Sequence, residues 1–165
     1  MTRKASFPPV VRADTKLLLL GSLPGEASLR ADRYYAHPQN QFWKLAGAVA
    51  GIADLHGRPY EDRLASLLDA GIGLWDVVAD ALRCGSLDAA IRDHRTNDLV
   101  ALIETLPQLR GVGFNGGTSA RIGRKLLAEV PEIRLFDLPS SSPAHTLALA
   151  TKIEGWMSMR ECLQQ

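Results

Sequence analysis

The chain has 165 residues, a length that one hydrophobic core can serve, so the expectation is a single domain over residues 1–165. Hydrophobic residues make up 46% and charged residues 22%, which excludes a disordered chain, and no apolar run is long enough to cross a bilayer. With a formal net charge of +1, bulk electrostatics neither proposes nor excludes a nucleic-acid partner, and any phosphate-binding surface must be made from local groups.

MTRKASFPPVVRADTK has basic residues but no apolar segment or small-residue cleavage site after them, which predicts a cytoplasmic chain with no membrane association. KLLLLGS, residues 16–22, is a short apolar run ending in Gly21 and Ser22, the pattern of a strand buried on both faces and followed by a turn. FWKLAGAVAG after Asn40 places Phe42, Ala46 and Val49 on one helical face, and YEDRLASLLDAG does the same with Leu64, Leu67 and Leu68 before Gly71 stops it. GIGLWDVV, residues 71–78, reads as the second strand. Asp93, His94 and Arg95 read as a charged connection, and Thr96 or Asn97 as the cap of NDLVALIETL. GVGFNGG, residues 111–117, is the third strand, followed by SARIGRKLLAEV, which starts at Gly117 or Thr118. IRLFDLPSS, residues 133–141, is the fourth, and a last helix runs from Thr146 towards Cys162. Cys84 and Cys162 are too few for a disulfide framework, a zinc site or an iron–sulfur cluster, and both read as buried apolar fillers. Strands alternating with helices predict an α/β fold around a parallel sheet, which binds ligands outside the carboxyl ends of its strands.

Four stretches fall in such positions. GSLPGEAS is either a tight Pro-Gly turn or a loop whose backbone N–H groups approach a ligand; it is neither G-x-G-x-x-G nor a P-loop. YYAHPQNQFW packs aromatics, His37 and Asn40 together, either as core with a helix cap and Pro38 in the first turn, or as a surface for stacking and hydrogen bonding a nucleobase. Asp76 and Asn115, at the ends of the second and third strands, either serve turns or point into the crevice. LPSSSPAHT offers Ser140, Ser141 and Ser142 as loop filler or as phosphate contacts, with His145 structural, phosphate-binding or catalytic. A serine hydrolase using Ser22 with His37 or His145 lacks the G-x-S-x-G elbow.

The combination GS-x-PG, SL, YYAHP-x-N-x-FW, continued by GIGLWDVVADALRCGSLDAAI, GFNGG and LPSSSPA, resembles the uracil-DNA glycosylase superfamily and within it the hypoxanthine-DNA glycosylase branch. The resemblance implies a three-layer α/β/α sandwich around a four-stranded parallel sheet. It also implies a monofunctional enzyme that flips a deaminated base out of DNA and hydrolyses its N-glycosidic bond without metal or cofactor. The partner is DNA containing deaminated bases, hypoxanthine first and xanthine or uracil behind, and the protein is expected to be a monomer. No Lys stands in either motif to form a Schiff base. The resemblance assigns Asn40 to orienting the water and Tyr35 to stacking on the base. Gly21, Ser22, Leu23, His37, Asp76 and Asn115 line the base pocket, with Asp76 as an acceptor for the N1–H of hypoxanthine. Pro139, Ser140, Ser141, Ser142, Pro143 and His145 hold DNA, with the stretch from Pro143 to Leu147 as a wedge. Leu23 stands where the mismatch-specific uracil branch has its Asn, Leu138 where the uracil branches have His or Asn, and His145 where S-P-A-N ends in Asn. The alternatives are a G/U mismatch-type uracil-DNA glycosylase and an inactive DNA-binding homologue, the latter motivated by Leu23 and Leu138 in place of polar residues.

Overall fold

A computed structural model describes residues 3–164. Strand β1 (Arg3–Ala5) leads to β2 (Leu17–Gly21), whose residues are all buried. Helices α1 (Glu26–Ala31), α2 (Phe42–Ala50) and α3 (Tyr60–Asp69) follow, then β3 (Ile72–Asp76), β4 (Val78–Leu82) and β5 (Arg92–Thr96). The remainder alternates: α4 (Leu99–Glu104), β6 (Gly111–Asn115), α5 (Gly117–Leu126), β7 (Arg134–Leu138) and α6 (Leu149–Met157), closed by a 3-10 turn over Ser158–Leu163.

The strands predicted at 16–22, 71–78, 111–117 and 133–141 supply a four-stranded parallel sheet in the order β3-β2-β6-β7. Period-two alternation along β2 divides the core. Leu17 and Leu19 enter a cluster with Phe42, Leu45, Val49 and Trp156 under α2 and α6. Leu18 and Leu20 enter one with Leu99, Val112, Phe114 and Ile122 under α4 and α5. A strand with apolar groups on both faces needs helices on both sides, which gives the three-layer α/β/α sandwich. The connection from β2 runs to β3 on one side and the later strands build away on the other, so the chain diverges at the carboxyl ends of β2 and β6. Among the described residues no helix is long and apolar enough to cross a membrane.

Several expectations need correction. GIGLWDVV is not one strand: the chain turns at Val77, where the Asn97 side chain donates to the Asp76 carbonyl at 2.8 Å, and β4 joins a separate antiparallel sheet in the order β1-β4-β5. The charged segment Asp93–Arg95 belongs to β5, which pairs with β4; Arg95 bonds Asp80 of β4, and Arg3 of β1 bonds both Asp80 and Asp93. Asp98, not Thr96 or Asn97, caps α4, its carboxylate accepting from Ala101 N at 3.0 Å. The last helix begins at Leu149 rather than Thr146, and α2 begins at Phe42, leaving Pro38 in the preceding turn. Cys162 is buried as expected, but Cys84 is exposed on the loop after β4.

Candidate active site

The loops at the diverging strand ends enclose a cavity of about 470 Å³, within the range typical of small-ligand sites. Its floor is the turn after β2. The Gly21 and Ser22 carbonyls accept from Val77 N at 2.8 Å and Val78 N at 3.0 Å, which fixes this turn against the start of the second sheet. A Cβ at Gly21 would lie 2.6 Å from Asp76 Oδ1 and 2.7 Å from the Tyr35 hydroxyl, so a side chain here would displace the ends of both. Those two side chains are therefore held together over one backbone position.

The aromatic segment supplies both core and wall. Tyr34, Phe42 and Trp43 are buried, and Tyr34 donates from its hydroxyl to the Pro8 carbonyl at 2.8 Å. Tyr35 takes a left-handed backbone, φ 52°, which turns its ring towards the cavity instead of continuing the chain's direction. Phe42 backs that ring, with centroids 3.8 Å apart and planes 5° from parallel, and Trp43 Nε1 donates to the Tyr35 carbonyl at 3.1 Å. Asn40 lines the cavity while its Oδ1 accepts from the N–H of Phe42, the first residue of α2, at 2.9 Å, which orients the carboxamide. One Oδ1 lone pair and both Nδ2 hydrogens stay free of protein partners among the described residues. His37 is exposed, with Nδ1 accepting from Gln39 N at 3.1 Å.

The loop after β7 is tied to these groups through one carboxamide. Asn115 donates from Nδ2 to Ser141 Oγ at 2.9 Å and to the Tyr35 hydroxyl at 3.3 Å, and its Oδ1 accepts from Ser141 N at 2.9 Å. Gln41 N also donates to the Ser141 carbonyl at 3.0 Å. Ser141 is thus a buried brace, whereas Ser140 and Ser142 accept from the backbone N–H groups of Ser142 and Ala144 and shape the loop's turns. Lys152 of α6, 1% exposed, directs its ammonium at the Ser142 carbonyl at 3.4 Å, and burial lowers its pKa.

Of the residues predicted for the site, Gly21, Ser22, Leu23, Tyr35, His37, Asn40, Asp76, Asn115, Ser140, Ser141, Ser142, Pro143 and His145 all line this cavity. Pro139 does not: its carbonyl accepts from Trp156 Nε1 at 2.9 Å and its ring packs on Gly155, so it anchors the loop to α6. Ser22 donates to Asp88 Oδ1 at 2.6 Å, and neither His37 nor His145 bonds it, which removes the serine-nucleophile arrangement. Asp88 was not foreseen. It reaches the cavity with Ser86 and Leu87 on the loop between β4 and β5, and that loop is pinned by Arg83, which is buried and donates to the Gly85 and Pro24 carbonyls.

The two aspartates have different electrostatic surroundings. Burial pushes the Asp76 carboxyl up to about 7, with Asp88 adding to the rise and Arg83 opposing it. Burial also raises Asp88, but the Ser22 hydroxyl and then Arg83 pull it back towards the anion. Desolvation, and then the Asp76 carboxyl, raise the pKa of the half-buried Tyr35 phenol, which stays neutral. The cavity therefore combines an aromatic wall, an oriented carboxamide, a buried acid and two further carboxyls, Asp88 and Glu26, without a positively charged floor.

The chain is similar in sequence to known proteins and in fold to a solved structure. The sequence profile of the uracil DNA glycosylase superfamily matches residues 8–164. A hypoxanthine DNA glycosylase from Methanosarcina barkeri is 40% identical over 154 residues, covering 93% of this chain and 96% of the relative. One of the same description from Methanosarcina acetivorans is 40% identical over 142 residues, covering 86% and 88%. The solution NMR structure of a candidate uracil DNA glycosylase from Methanosarcina acetivorans superposes with a TM-score of 0.88 at 36% identity, over 99% of this chain and 100% of that one. With the profile spanning nearly every residue and the α/β/α fold in common, the chain belongs to the uracil DNA glycosylase superfamily.

Proposed function

We propose that this protein is a monofunctional DNA glycosylase that removes deaminated bases, hypoxanthine first, by hydrolysing the N-glycosyl bond. The observation that carries the reading is the meeting of Tyr35 and Asn40 on one cavity at the diverging strand ends. A nucleotide rotated out of the duplex places its base against the Tyr35 ring, which Phe42 keeps from tilting. The Asn40 Oδ1 has a lone pair left for a water, and the Phe42 N–H fixes its direction. Bond breaking develops positive charge on the sugar, and oriented amide and carboxylate oxygens stabilise that charge where water is excluded. Asp76 meets the edge of the base. The loop from Ser140 to His145 contacts the phosphates around the flipped nucleotide, and the exposed Leu147 beyond it fills the vacated stack. The relatives described as hypoxanthine DNA glycosylases support hypoxanthine as the first substrate.

The test is a panel of duplexes carrying deoxyinosine, deoxyxanthosine or deoxyuridine, incubated with the purified protein and then treated with alkali. The reading expects strand breaks at inosine after alkali and none before it. Intact strands on all duplexes at excess enzyme remove the activity; breaks before alkali remove the monofunctional assignment.

A further inference from the structure

Three carboxyl groups line the cavity, and each is held differently. Glu26 is paired with the Lys4 ammonium. Asp88 accepts from the Ser22 hydroxyl at 2.6 Å and feels the charge of Arg83. Asp76 is 4% exposed, its Oδ2 has no hydrogen-bond partner, and no cation bonds either oxygen among the described residues. The groups facing it are the Tyr35 hydroxyl, which shares with Asp76 Oδ1 the space over Gly21, the Asp88 carboxyl, and Arg83, whose hydrogen bonds go to backbone carbonyls. His37 and His145 are the exposed titratable groups on the same cavity.

A carboxylate buried without a cation or donor is far costlier than the neutral acid, so the free enzyme holds a proton at Asp76. We infer that Asp76 is the general acid of the excision step, giving its proton to the departing purine. Glu26 has a cation and Asp88 a hydroxyl donor, whereas Asp76 has neither among the described residues, which suits it to the protonated role. The upward shift of Asp76 to about 7 keeps it protonated and still able to release the proton near neutrality. The inference rests on the glycosylase reading and changes the part of Asp76 from acceptor of a base N–H to proton donor.

In this step the C1′–N9 bond breaks and its electron pair goes to the purine. The Asp76 proton passes to the acceptor atom that faces it, O6 or N7, and a neutral base leaves. Water attacks C1′, and its surplus proton returns to the Asp76 carboxylate. Nucleotide and water become free base and abasic sugar, and the acid is restored.

The experiment measures single-turnover excision of hypoxanthine against pH for the wild type and Asp76→Asn. Alongside it, binding of both proteins is measured on a duplex carrying 2′-fluoro-2′-deoxyinosine, which resists cleavage. The wild-type rate should fall about tenfold per pH unit above roughly 7, and Asp76→Asn should be about 100-fold or more slower below that pH, with no such fall. Binding should stay within about threefold. A variant as fast as wild type overturns the inference. So does an alkaline fall that persists in Asp76→Asn, since the titration would then belong to another group. A loss of rate matched by an equal loss of binding also overturns it, since Asp76 would then only grip the base. Failure of the wild type to excise any base strikes the glycosylase reading itself, a separate result.

Discussion

Replacing Asp76 by Asn tests the electrostatics of the cavity through stability, independently of any DNA. The folded carboxyl has a pKa of about 7 against an ordinary 3.8, so the native state binds its proton more tightly than the unfolded chain does. Below 3.8 both states are protonated and the stability linked to this group is fully present. As pH rises towards 7 the unfolded carboxyl ionises first, the unfolded chain holds fewer protons, and stability falls. The interval from 3.8 to about 7 is worth roughly 4 kcal/mol at about 1.4 kcal/mol per pH unit. Asn removes the titration and keeps the shape. Urea unfolding of both proteins should give stabilities within about 1 kcal/mol of each other near pH 4, with the variant ahead by roughly 4 kcal/mol near pH 8. Taking the difference cancels the other titrating groups. A difference that does not change with pH, or one that favours the wild type at alkaline pH, would refute the account of Asp76 as a buried, unpartnered acid.

Other outcomes follow from the same geometry. Tyr35→Ala removes the ring that Phe42 backs and should weaken binding of a duplex with a flipped base by about 1–3 kcal/mol, measured by fluorescence anisotropy, with little effect on undamaged DNA. Asn115→Ala leaves the buried Ser141 N–H without a partner and frees the Tyr35 hydroxyl, which should cost about 2–4 kcal/mol in denaturant unfolding and slow excision as well. Cys84 should react with a thiol reagent in the native protein, whereas Cys162 should react only after unfolding.

The centre of the parallel sheet was legible because β2 and β6 are short apolar runs ended by Gly or Asn, a pattern that burial on both faces demands. The same pattern located the cavity, since such sheets leave their ligand loops at one edge. The second sheet was not legible. Strand β5 reads RDHRT, exposed throughout, and is held by ion pairs to Asp80 rather than by apolar alternation. The loop that this sheet carries was lost with it, and with the loop went Asp88, whose residue type and neighbours carry no motif. Position was easier to read than role. Asn115 and Ser141 come to the cavity as expected, but the sequence does not disclose that they bond each other reciprocally. Likewise, Asp76 is visible as a strand-end carboxyl, while its burial without a partner for Oδ2 appears only in the folded structure.

The measurement that bears most directly on the central claim is single-turnover release of hypoxanthine from an inosine duplex by wild type, Asn40→Ala and Asn40→Asp. Water orientation by the Asn40 carboxamide predicts rapid release by the wild type. It also predicts a loss of about 100-fold or more in Asn40→Ala, with duplex binding retained. The Asp variant, which keeps an acceptor oxygen for both the Phe42 N–H and the water, should recover part of the rate. A wild-type rate undiminished in Asn40→Ala would contradict the account.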